Sequence, residues 1–110
     1  MNVQTEYQII LNTCPDQESA TRLANALIDE GLAACVNIVA GLTSIYQWQG
    51  KRETATEVLL LIKTRSDLYS RVEARIKSLH PYELPEIISV PISGGLSDYL
   101  DWIDNSTGKL

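Results

Sequence analysis

Two hydrophobic periods alternate along this chain, and each switch marks a change of element. Residues 7–13 (YQIILNT) are rich in β-formers and run into Cys14-Pro15-Asp16, which predicts a short strand and then a turn. Asp16 is a good N-cap. Behind it Ala20, Leu23, Ala24, Leu27 and Ile28 recur at the i, i+3, i+4, i+7, i+8 spacing of one helix face, and Gly31 stops the helix. Residues 33–39 and 43–49 are extended runs separated by an Ala40-Gly41 break. In the second run Ile45 faces away from Tyr46, and Trp48 shares Tyr46's side. Gln49-Gly50-Lys51 reads as a turn. Residues 57–64 follow, with aliphatics at every position from Val58 to Ile62, the pattern of a strand buried on both faces. Ser66 is placed as the cap of a second helix whose inner face is Leu68, Val72, Ile76 and Leu79. Glu73 and Lys77 form an outer i, i+4 pair, and Pro81 ends the helix. Residues 87–92 form a last short strand and Gly94-Gly95 a loop. Ser97 is read as the cap of a final helix carrying Tyr99, Leu100 and Ile103.

The predicted order is β-α-β-β-α-β with an extended middle hairpin and a C-terminal helix. That is an α+β, ferredoxin-like domain spanning residues 1–110, with both main helices on one face of an antiparallel sheet. A mismatch follows. Ile9-Ile10-Leu11 and the run from Val58 to Ile62 are apolar on both faces, but the helices cover only one. Each aliphatic left exposed forgoes about 1.5–3 kcal/mol of burial. The competing covers are other subunits and the C-terminal helix. One short helix is small for the task, so the pattern favours an oligomer.

Composition narrows the class. A net charge of −5 lacks the basic face that phosphate binding needs, so nucleic acid is not an expected partner. No apolar run reaches the ~20 residues of a membrane span, and the first eight residues are polar rather than leader-like. With no secretory signal in view, Cys14 and Cys35 are expected to be reduced thiols in the cytoplasm.

The candidate chemistry is sparse. The single histidine, His80, sits in His80-Pro81-Tyr82-Glu83-Leu84-Pro85-Glu86, where two prolines restrain an imidazole beside carboxylates. Such a set suits zinc or copper, but a His at a helix end also commonly caps the last carbonyls. Cys14 lies at the strand-to-helix turn, where a helix dipole would lower its pKa and favour a thiolate. The other reading is a small buried side chain. For Cys35, in mid-strand, burial is the stronger reading. Tyr46, Trp48, Lys51, Glu57 and Tyr82 could line a cleft, although hairpin aromatics also suit a subunit interface, the reading favoured here. There is no GxSxG, P-loop or CxxC motif, and nothing in the sequence brings Cys14 and His80 together as a dyad, so no enzyme is expected.

Residues 44–51 (SIYQWQGK), 57–64 (EVLLLIKT) and 80–87 (HPYELPEI), with 31–37 (GLAACVN) and 99–103 (YLDWI), resemble the signature blocks of the CutA divalent-cation-tolerance family. The resemblance runs over almost the whole chain. It implies a homotrimer of ferredoxin-like subunits whose edge strands pair between neighbours, similar in plan to the PII signalling proteins. It also implies a link to divalent metals, copper above all, with zinc and other divalent ions open. In one bacterial pattern the copper-associated residues fall on Cys14, His80 and Glu86 of this chain, making these the expected metal ligands. The alternative is a PII-like sensor or scaffold binding a small molecule or protein in an inter-subunit cleft near Tyr46, Trp48, Lys63 and Tyr82.

Overall fold

A computed structural model describes residues 6–108. Most of the polar N-terminus, residues 1–5, lies outside the described residues. The elements are β1 (Tyr7–Cys14), α1 (Gln17–Asp29), β2 (Cys35–Trp48), β3 (Lys51–Arg65), α2 (Tyr69–Leu79), β4 (Ile87–Pro91) and α3 (Ser97–Asn105). The four strands form one sheet in the order β2-β3-β1-β4, every pair antiparallel. With the β-α-β-β-α-β order, this is the expected ferredoxin-like arrangement.

Period-2 alternation divides the sheet into two unlike faces. On the inner face Ile10 pairs with Ile62 across β1 and β3, and both are fully buried with Leu60 against Leu23, Leu27, Val72 and Ile76 of α1 and α2. Asp16 caps α1 as predicted: the Ser19 N–H donates to its Oδ1 at 2.7 Å, and this bond holds the Asp16 carboxyl below the usual carboxylate range.

The outer face carries Ile9, Leu11, Leu59 and Leu61, with Ile88 and Val90 of β4 and Val39 of β2 in register beside them. Ile88 is 52% exposed and Val90 47%. The last helix, α3, covers only the end where β1 starts and β3 finishes. There the Tyr7 hydroxyl donates to Asp104 at 2.6 Å, and the Lys63 ammonium lies 5.7 Å from the Tyr99 ring centre. The rest of the apolar outer face stays open.

Three local expectations are corrected. Residues 33–39 and 43–49 are not two runs with a break: β2 is continuous, and Ala40-Gly41 sits in a register shift between Val39 and Leu42, with Gly41 at φ 82°. The third strand begins at Lys51, six residues earlier than expected, because the polar segment 51–56 pairs with 43–48 as a two-stranded arm beyond the reach of β1. Gln49 and Gly50, both at positive φ, close that arm as a tight two-residue turn. Neither predicted serine occupies a cap position. Ser66 opens a 3-10 turn (Ser66–Leu68) that delivers the chain to α2, and Leu96 rather than Ser97 holds the cap position of α3.

Candidate functional site

The inner face changes character where β1 ends. After Ile10 the inward positions are Asn12 and Cys14, both fully buried. His80, which ends α2, folds back over them. Its Nε2 lies 2.7 Å from the Thr13 carbonyl and 3.8 Å from the Cys14 sulfur, and its Nδ1 accepts the Tyr82 N–H at 3.0 Å. Accepting at Nδ1 fixes the tautomer with the proton on Nε2, which donates to Thr13. Both ring nitrogens are therefore in use. The Cys14 thiol donates to Asn12 Oδ1 at 3.5 Å, and Asn12 Nδ2 donates to the Glu86 carbonyl at 2.8 Å, tying the 80–86 loop to β1.

Of the two readings of Cys14, the small buried side chain holds and the low-pKa thiolate does not. Burial, then the nearby charges of Asp16 and Glu57, push the Cys14 thiol up to about 11, with Arg22 opposing. The helix N-terminus does not prevail because Asp16 brings its own negative charge to that spot while burial penalises the thiolate.

Above this cluster an open cleft of about 1270 Å³ separates the arm from the 80–86 loop. Tyr46 and Trp48 line it from the arm, Glu57 from β3 at the arm's base, and His80, Tyr82 and Glu86 from the loop, with Thr13 on the β1 side. Glu57 is 7% exposed, and its Oε2 accepts the Tyr82 hydroxyl at 2.9 Å. Desolvation and this bond push Tyr82 up to about 12, so it remains a donor.

Of the three expected metal ligands, the structure brings Cys14 and His80 into contact and puts Glu86 on the wall of the same cleft, exposed to solvent. Among the described residues no group of three or more His, Cys, Asp and Glu side chains is arranged to hold a metal ion. Tyr46, Trp48, Glu57 and Tyr82 line the cleft as one of the two readings had them. Lys51 instead pairs with Trp48 at the arm tip, and Lys63 lies on the outer face of its own chain. Sequence reasoning missed Asn12 and Thr13. Asn12 left a trace, since a polar residue at the inward phase between Ile10 and Cys14 needs buried partners. The Thr13 carbonyl left none.

The model of the CutA1 divalent ion tolerance protein family matches residues 8–106. The chain belongs to this family. A relative from Thermus thermophilus, named divalent-cation tolerance protein CutA, is 50% identical over 101 residues, covering 92% of this chain and 98% of that one. The chloroplastic CutA protein of Arabidopsis thaliana is 44% identical over 99 residues, which are 90% of this chain but 54% of the plant protein. Among solved structures, the Thermus thermophilus CutA1 protein superposes with a TM-score of 0.91 at 49% identity, covering 93% and 99% of the two chains. The CutA protein of Xylella fastidiosa gives 0.92 at 44% identity over 94% and 100%. The five blocks recognised in the sequence all fall inside the residues that the CutA1 family model matches.

Proposed function

We propose that this CutA1-family chain serves divalent-cation tolerance by binding copper, or another divalent ion such as zinc, at Cys14 and His80, with Glu86 as a third donor. It acts as a cytoplasmic homotrimer and catalyses no reaction. The observation carrying this reading is the 3.8 Å contact between the Cys14 sulfur and His80 Nε2, from residues far apart in the chain and beside an open cleft.

The donor chemistry fits: sulfur, imidazole nitrogen and carboxylate oxygen together suit copper and zinc. A bound cation would supply positive charge that stabilises a thiolate. The resting geometry is not a finished ligand set. Cys14 must release its proton, His80 must give up the Thr13 carbonyl and move its Nε2 proton to Nδ1 with loss of the Tyr82 N–H bond, and the Glu86 side chain must turn in from solvent. A site that must be opened in this way suits a response to excess metal better than permanent storage. A buried, protonated Cys14 thiol also argues against a nucleophile, and the free thiols of Cys14 and Cys35 suit a reducing compartment. The open outer face supports the trimer, since Ile88, Val90 and Val39 gain burial only against another copy.

Calorimetric titration of the reduced, metal-free protein with copper(I) and with zinc tests the site. Saturable binding at a fixed ratio per subunit, lost in both Cys14→Ala and His80→Ala, is expected. Stoichiometric binding that survives both substitutions overturns the ligand assignment. Sedimentation velocity tests the assembly: a trimer that lightens in Val90→Asp is expected, and a monomeric parent protein contradicts it.

A further inference from the structure

We infer that the cleft between the arm and the 80–86 loop binds a small organic diamine, with one ammonium seated on Glu57 and the carbon chain walled by Tyr46, Trp48 and Tyr82. This inference stands apart from the metal reading, because it rests on Glu57 and the arm aromatics rather than on Cys14 and His80.

Glu57 carries the argument. It is more than nine-tenths buried, yet it lines the cleft. A buried carboxylate is ordinarily matched by a positive charge. Here its hydrogen-bond partner is the neutral Tyr82 hydroxyl, and among the described residues no lysine or arginine lines the cleft. The ion pairs of Arg65 with Asp67 and of Arg75 with Glu30 lie elsewhere. Tyr82 engages Oε2, and Oε1 is left to accept from a ligand N–H. That favours a primary ammonium over a quaternary one, which has no proton to donate.

The walls select the rest of the ligand. Tyr46 and Trp48 are 47% and 50% exposed, and their rings offer a cation both apolar contact and the negative face of the π-system. A hydrated inorganic ion gains little from such walls, whereas an alkyl chain gains burial. Glu83 and Glu86 at the exposed rim favour a second positive end, hence a diamine over a monoamine.

The probe is 1,4-diaminobutane, titrated by calorimetry into the metal-free protein at low salt. Saturable binding of one diamine per subunit is expected, with no saturable heat from 1-butanol. Glu57→Gln should weaken binding at least tenfold, through loss of a charge-assisted bond. Trp48→Leu, at an exposed position that leaves the fold intact, should weaken it about fivefold, the weight of one cation–π contact. Cys14→Ala, which abolishes copper binding on the metal reading, should leave diamine affinity unchanged, so the two readings fail separately. Absence of saturable heat, or parent-like affinity in folded Glu57→Gln, overturns the proposal. Should Glu57→Gln fail to fold, undiminished affinity in Trp48→Leu overturns it instead.

Discussion

The inner face of β1 and β3 has two ends that were built for different purposes. At one end Ile10 and Ile62 pair across the strands, fully buried under both helices, with apolar neighbours on every side. At the other end β1 turns Asn12 and Cys14 inward, and Glu57 of β3, on the opposite phase from Val58, lies at the cleft; all three are buried but joined by hydrogen bonds to His80, Tyr82 and the 80–86 loop. The first end gains from burial alone. Polar groups at the second end are tolerated only because their bonds close, and those bonds hold a thiol and an imidazole at the edge of a cleft. The contrast teaches that stability and the candidate site share strands but not forces, so the two ends should respond differently to substitution.

The largest effect is expected at the sealed end. Ile62→Ala should cost about 4 kcal/mol, because the site is fully enclosed and leaves a cavity. Copper and diamine affinities of the protein that remains folded should not change. A chemical denaturation curve with parallel ligand titrations checks both parts, and a large affinity loss would show that the two ends are coupled.

A smaller stability loss, about 2 kcal/mol, is expected for Asn12→Ala, which removes the tether to the Glu86 carbonyl and the acceptor of the Cys14 thiol. Here ligand affinity should fall as well, since the loop carrying His80, Tyr82 and Glu86 is released from β1. Hydrogen exchange should show faster opening of that loop. Unchanged exchange would mean that Asn12 only fills space.

The smallest effect belongs to Asp16→Ala, which should lower the melting temperature by a few degrees near neutral pH. Asp16's folded-state pKa is depressed, so its contribution is present above the unfolded value and lost as pH falls through the folded one. The gap between parent and variant should therefore close in acid. A gap that persisted well below the carboxylate range would assign the effect to something other than the charged cap.

The sealed end was legible in the sequence and the cleft end only in part, for a physical reason. Periodicity reports burial, and burial alone shapes Ile10, Leu60, Ile62, Val72 and Ile76, so strands, helices and the ferredoxin-like order could be read from spacing. The first strand and the turn of the arm were read from residues 43–51, but its second strand escaped because residues 51–56 are mostly exposed and carry no apolar alternation to mark a strand. The caps at Ser66 and Ser97 were misplaced because a 3-10 turn and the backbone of Leu96 deliver the chain to those helices. Cys14 and His80 were visible one at a time, but their contact depends on the fold bringing the end of α2 over the end of β1. Of the two readings of Cys14 the dipole one fails, because it weighs one charge, whereas burial, Asp16 and Glu57 act together.

The central claim is that Cys14 and His80 act together as ligands, and X-ray absorption at the copper edge tests it most directly. The reduced protein loaded with one copper(I) per subunit should show mixed sulfur and imidazole-nitrogen scattering, with the sulfur component missing in Cys14→Ala and the imidazole signature missing in His80→Ala. Copper surrounded by nitrogen and oxygen alone, with a spectrum that Cys14→Ala leaves unchanged, would contradict the account.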